Sequence, residues 1–128
     1  MAFLFVALGG AVGSMARYAI SLIPVKMGFP LLTLMTNIIG AILIGFITGI
    51  VSFSDNVSKN MLLFLKTGVC GGFTTFSTFS LESYDLFLEK QYALGSVYVL
   101  LSCFGCILGV LCGKKLAELV MQVNTTLL

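Results

Sequence analysis

Ten consecutive residues, Gly71-Gly72-Phe73-Thr74-Thr75-Phe76-Ser77-Thr78-Phe79-Ser80, gather two glycines, five hydroxyls and three phenyl rings inside an otherwise apolar segment. Each glycine lowers helix propensity by about 1 kcal/mol relative to alanine, and threonine restores little, so unwinding is predicted over residues 71–75. Carbonyl oxygens freed in this way suit a hard cation such as sodium, especially where a two-fold axis brings a second copy alongside. The alternative is a kink whose backbone groups are satisfied by the neighbouring hydroxyls. Beyond the break, Phe76 and Phe79 are three residues apart and share a helical face. Such rings usually pack, yet a phenyl edge is electropositive and can attract an anion without the trapping strength of a Lys or Arg. Thr75, Thr78 and Glu82 follow helical spacing, so Glu82 either joins the hydroxyls or marks the interfacial end of the segment.

Two further polar groups interrupt apolar runs. Thr33, Thr36 and Asn37 open the second run, with Asn37 one turn from Thr33; its amide is either interhelical glue or a donor to a ligand. Tyr98, Ser102 and Cys106 recur every four residues in the last run, as a sparse polar track would. Histidine is absent, which removes the commonest general base and metal ligand and argues against an enzyme. Cys103 and Cys106 form a C-x-x-C with no second pair or histidine to complete a zinc site, and read as small helix fillers.

The elements that carry these groups belong to lipid. The 128 residues are 59% hydrophobic and 9% charged, with a mean hydropathy of +1.11, outside the range of soluble domains. The net charge of +2 comes from scattered residues with no basic stripe, so nucleic acid is not a partner. One all-α domain over 1–128 is predicted, with transmembrane helices at about 2–23, 31–53, 61–88 and 93–113. The first run has no preceding Lys or Arg and reads as a retained span rather than a signal peptide. Pro24, Lys26, Gly28 and Pro30 mark a turn, and Asp55 or Ser58 is a candidate helix cap. Residues 118–128 read as an amphipathic extension and loose tail.

Four spans place Lys59, Lys66, Lys114 and Lys115 toward one side and Arg17, Lys26 and Lys90 toward the other, so the positive-inside rule barely chooses an orientation. Insertion in both orientations would make an antiparallel homodimer; a bias of one charge is the alternative. Gly9 with Gly13, Gly45 with Gly49, and Gly105, Gly109 and Gly113 form ridges suited to close helix packing.

Nearly the whole chain resembles the Fluc (CrcB) fluoride channels. The likeness rests on Gly9-Gly10 with Gly13, Arg17-Tyr18, Thr36-Asn37, and above all the string from Gly71 to Ser80 followed by Glu82. The resemblance implies a multi-pass protein of the cell membrane, a dual-topology homodimer with two pathways for passive fluoride efflux, and rejection of chloride. It assigns Phe76 and Phe79 to the pathway through their ring edges, Asn37 as an amide donor, and Ser77, Thr78 and Glu82 as a neighbouring polar cluster. Tyr98, Ser102 and Cys106 continue the track, and Arg17 lies near a vestibule. A structural sodium on the two-fold axis would be held by the backbone carbonyls of Gly71 and Thr74 from each subunit. Rival readings are a small multidrug-type exporter, which needs a titratable carboxylate in its chamber, and a membrane scaffold that transports nothing.

Cys106 departs from the family pattern, which places a hydroxyl on this track, and a thiol donates more weakly. The expected result of Cys106→Ser is fluoride flux equal to or above that of the parent in a liposome efflux assay; a large loss would contradict the track.

Overall fold

A computed structural model describes residues 1–25, 27–54 and 57–126, and among them the regular secondary structure is entirely helical. Lys26 and Asp55, named above in a turn and as a cap, lie outside the described residues. Helix α1 spans Ala2–Ser21 and α2 spans Leu31–Ser52. Next comes a composite α3 over residues 59–73: a short α-turn at Lys59–Leu62, a π-helical stretch at Leu63–Cys70 and a final α-turn at Gly71–Phe73. Helix α4 is Phe76–Leu88 and α5 is Tyr92–Thr126. Among the described residues, three helical stretches are long and apolar enough to cross a membrane: Ala2–Ser21, Leu31–Ser52 and Tyr92–Val123.

The helices pack as two intimate pairs, α1 along α3 and α2 along α5, with α4 leaning on α5. Glycine makes both pairs possible. A Cβ at Gly13 would collide with the Val69 carbonyl oxygen and stand 2.8 Å from the Phe73 nitrogen, and one at Gly9 would stand 2.9 Å from the Gly68 Cα. Gly45 meets the Val110 backbone and Gly113 the Ile42 carbonyl in the same way. At Gly9, Gly13, Gly45 and Gly113 the ridges read from sequence are therefore backbone-to-backbone contacts, while Gly49 and Gly105 receive the side chains of Ala117 and Ile38. Phe3, Leu4, Leu8, Val12 and Met15 lie exposed along α1, and Leu100, Phe104, Ile107 and Leu111 along α5. Faces of this kind match a hydrocarbon solvent.

The break in the third segment is narrower than the glycine pair predicts, and displaced toward the C-terminus. Gly71 and Gly72 remain helical, while the extended residues are Thr74, at φ −78° and ψ 156°, and Thr75, at φ −146° and ψ 104°. Packing overrides propensity here, because a Cβ at Gly72 would stand only 2.5 Å from the Gly10 carbonyl oxygen. Gly72 serves proximity to α1, whereas a Cβ at Gly71 would meet nothing within 4 Å, and the pair of threonines ends the helix. Ser58 caps α3 by accepting from the Met61 N–H at 3.2 Å, as one of the two cap assignments anticipates.

Helix α4 ends in a Schellman arrangement: the Gln91 N–H donates to the Leu86 carbonyl and the Lys90 N–H to the Phe87 carbonyl, with Lys90 left-handed at φ 61°. The chain then reverses into α5. This last helix runs on past residue 113 to Thr126 where a loose extension is expected from the sequence. Ala117 explains the continuation, since it is fully buried against Gly49 of α2 and ties the extra turns to the bundle.

The contrast between Gly13 and Gly10 isolates the packing term, because a Cβ at Gly10 meets nothing within 4 Å. Gly13→Ala should lower stability by about 1–3 kcal/mol through overpacking, while Gly10→Ala should be neutral or slightly stabilising. Thermal unfolding of the two variants in one detergent measures the difference.

Candidate functional site

The break is held by one side chain. Asn37 on α2 donates from Nδ2 to the Thr75 carbonyl at 3.2 Å and accepts from the Thr75 N–H at Oδ1, 2.8 Å away. Its amide thus imitates a neighbouring backbone and satisfies both polar groups of one extended residue. The Thr75 hydroxyl then caps α4, accepting from the Thr78 N–H at 3.2 Å while donating to the Thr78 hydroxyl at 2.9 Å. The Ser77 hydroxyl, exposed, lies 3.4 Å from the same oxygen. In an α-helix the carbonyls of Gly71 and Thr74 would receive the N–H groups of Thr75 and Thr78. Both of those N–H groups are engaged by side chains instead, at Asn37 and at Thr75. The two carbonyls therefore lose their helical donors at the point where the chain changes direction. The Gly72 carbonyl, by contrast, accepts from Arg17 Nε at 3.3 Å and from the Ser14 hydroxyl at 3.5 Å.

A second polar knot lies one to two turns further on. Glu82 on α4 accepts from the Thr33 hydroxyl of α2 at 2.8 Å and from the Tyr98 hydroxyl of α5 at 2.7 Å. The carboxylate is drawn inward between three helices rather than left at an interface. Tyr98 is fully buried, and its ring continues an aromatic series: Phe29 at 5.5 Å, Phe79 at 5.3 Å, and Phe76 at 5.5 Å from Phe79. The two rings singled out from sequence have unlike settings. Phe79 is 8% exposed in the core with Leu34, Leu86 and Tyr98, whereas Phe76 is 78% exposed.

Two cavities flank the break. The larger, about 600 Å³, is an open cleft between α2, α3, α4 and α5. Asn37, Gly71, Thr74, Phe76 and Phe79 form one part of its wall, and Ser102 and Cys106 line it from α5. The Ser102 hydroxyl is buried and has no hydrogen-bond partner among the described residues, which leaves its proton free for a ligand. The smaller cavity, about 70 Å³, is walled by Arg17, Thr33, Thr36, Thr75 and Thr78. Asn37 and Thr75 form the partition between the two.

Most of the residues singled out from sequence converge on this partition, but the three polar residues of α2 diverge in use. Thr33 binds Glu82, Asn37 binds Thr75, and the Thr36 hydroxyl turns back to its own helix at Leu32. Ser80 and Ser83 do likewise, at Phe76 and Phe79. Two residues stand outside the sequence expectations for the site: Phe29, which falls in an expected turn, and Lys66, which enters there only as a charge. Its signal was a cation within an apolar run; it lines the larger cleft.

Comparison with known proteins bears on this geometry. Residues 4–114 match the family described as CrcB-like protein, Camphor Resistance (CrcB). The chain is similar to the fluoride-specific ion channel FluC of Ruminiclostridium cellulolyticum, 46% identical over 113 residues covering 86% of this chain and 87% of that relative. It is similar to the FluC of Clostridium perfringens, 44% identical over 91% of this chain and 93% of the relative, and to that of Pyrococcus abyssi, 41% identical over 90% and 94%.

Asn37→Ala would leave the Thr75 N–H and carbonyl unpaired away from water. The expected cost is about 2–4 kcal/mol, on the scale of one to two unsatisfied backbone groups, read as a lowered thermal midpoint in detergent. Asn37→Asp keeps the acceptor but loses the donor and should fall between the two.

Proposed function

The chain belongs to the CrcB family, and on that premise we propose that it is a fluoride-selective channel that lets cytoplasmic fluoride leave the cell passively. It is a membrane protein, and no reaction is catalysed. The observation that carries the reading is the convergence, in a close relative of named fluoride channels, of Phe76, Phe79 and a free Ser102 hydroxyl on one cleft beside the broken helix. Fluoride is small and strongly hydrated, so a pore must replace its water with donors while avoiding a site deep enough to hold it. Ring edges at Phe76 and Phe79, the remaining Asn37 N–H and the Ser102 hydroxyl are weak, successive partners of that kind. Cys106 extends the wall one turn beyond Ser102.

Glu82, Tyr98, Thr78 and Ser77 serve the same pathway from behind. Tyr98 locks the Glu82 carboxylate and presses on Phe79, so the anionic group is turned away from the cleft. Arg17 and the hydroxyls around the smaller cavity make an electropositive approach on the other side of the partition. The exporter alternative needs an accessible carboxylate, and the described lining of either cavity has none.

In this reading α3 and α4 together make the fourth crossing. Residues 59–88 are 30 positions, about 45 Å as helix, enough for the hydrocarbon core even with a break. The working unit is an antiparallel homodimer inserted in the cell membrane in both orientations, with two pathways. Phe76 supports it: a phenyl ring 78% exposed at the rim of a wide cleft leaves the pathway open on one side, and a second copy would close it. The carbonyls of Gly71 and Thr74 fit a sodium ion, since both have lost their helical donors and both residues line the cleft. Two oxygens are fewer than a hard cation takes, so a second copy would supply the other pair. Bound there, the ion would neutralise carbonyl dipoles at the dimer centre.

Fluoride efflux from proteoliposomes, with chloride as the control ion, tests the function. Parent protein that releases chloride as readily, or no fluoride, would remove the channel reading. Phe76→Ile should abolish fluoride flux with little change in stability because the ring is exposed, and Phe79→Ile should abolish it with an added cost of about 1–3 kcal/mol, since the smaller side chain leaves a gap beside Leu34, Leu86 and Tyr98. Undiminished flux in both would remove the aromatic role.

A further inference from the structure

The larger cleft contains a charge that the family reading does not use. Lys66 lies on its wall, and every other described lining residue is uncharged. It stands seven residues into α3 from Lys59, about 10 Å along the helix, within the π-helical stretch and exposed. Ile44, Ile107 and Val110 line the same cleft from α2 and α5. These are apolar groups on which the lysine stem can lie while its ammonium reaches for water. A cation at this depth, with no carboxylate on the wall to neutralise it, is costly in lipid unless it serves a water-filled path.

We propose that Lys66 is an anion-attracting residue at the mouth of the larger cleft, raising the local fluoride concentration ahead of Phe76, Phe79 and Ser102. The proposal rests on the channel reading and deepens it. A low-dielectric wall around a single positive charge focuses its field into the cleft, and such focusing speeds the arrival of ions of opposite sign. Position decides whether the charge helps or traps. Lys66 precedes Gly71 by five residues and Thr74 by eight, so it stands about 7 to 12 Å along the helix from the break. Exposed at that distance, it is screened by water and ions, and an anion it attracts remains free to move on. The ring edges and the Ser102 hydroxyl then take over as dehydrating partners, which need no formal charge. Lys66 thus plays on the larger cleft the part that Arg17 plays on the smaller, at the opposite side of the Asn37–Thr75 partition.

The test is fluoride efflux from proteoliposomes for the parent, Lys66→Gln, Lys66→Met and Lys66→Arg, at low ionic strength and in about 1 M potassium gluconate, where the screening length falls to about 3 Å. Loss of charge should slow efflux on the order of three- to tenfold at low ionic strength, the low end of electrostatic focusing. The gap should narrow to less than about twofold at high salt, and Lys66→Arg should restore the parent rate. Parent protein that conducts beside uncharged variants of equal rate would overturn the role of Lys66 and leave the channel reading standing. A loss that salt does not narrow and arginine does not restore would assign Lys66 to packing and overturn it as well. Uncharged variants that fail to assemble, while Lys66→Arg assembles, would assign the charge to folding and overturn the proposal. A parent without fluoride efflux would overturn both readings.

Discussion

A backbone N–H or carbonyl released from a helix in hydrocarbon finds no water, so it must be met by another part of the protein. Everything distinctive about this chain follows from how that demand is answered at Thr74 and Thr75. Asn37 provides a donor and an acceptor in the spacing of a peptide group, and the Thr75 hydroxyl starts the next helix. The chain can therefore stop and restart within the bundle, with the N–H groups that the Gly71 and Thr74 carbonyls would receive in a helix taken up by side chains. Gly71 and Thr74 share an otherwise largely apolar cleft with the Asn37 amide, the Lys66 ammonium and the Ser102 hydroxyl, while the restarted helix presents the rings of Phe76 and Phe79.

Charge and polarity are distributed around this pivot with some economy. The only carboxylate drawn into the helix bundle among the described residues, Glu82, is tied by two hydroxyls and faces neither cavity. Arg17 stands on one side of the partition, held near the Gly72 carbonyl, and Lys66 on the other. Between them the lining is neutral, supplied by amide, hydroxyl, thiol and phenyl groups. An anion passing through such a surface meets donors of moderate strength and no fixed negative charge.

Much of this was legible in the amino acids. The apolar runs located α1, α2 and the core of α5, and the odd composition from Gly71 to Ser80 located the break to within three residues. Spacing brought Ser102 and Cys106 onto one wall and joined Thr75 to Thr78, while Glu82 bonds Thr33 and Tyr98 instead of those hydroxyls. What could not be read was long-range. Asn37 and Thr75 are 38 positions apart, and no local signal tells that the amide brackets a backbone rather than faces a ligand. The glycine pair misled because propensity weighs a residue alone, whereas Gly72 is fixed by the α1 backbone against it. The long α5 was missed for a related reason: a lysine pair reads as an end, but Ala117 fits beneath Gly49 and carries the helix onward.

The π-helical stretch at Leu63–Cys70 adds a consequence of its own. Such a segment accommodates an extra residue without unwinding the helix, and one residue of α-helix corresponds to a rotation of about 100°. It therefore acts as a phase adjuster: α1 reads the face bearing Gly68 and Gly72, and the cleft reads the face bearing Lys66, Gly71 and Thr74. Removing one residue from this stretch would relax it toward an ordinary helix and swing one face away from its partner. Side chains on the lipid-facing surface of α3 are thus open to exchange over generations, but the number of residues between Ser58 and Thr74 is not.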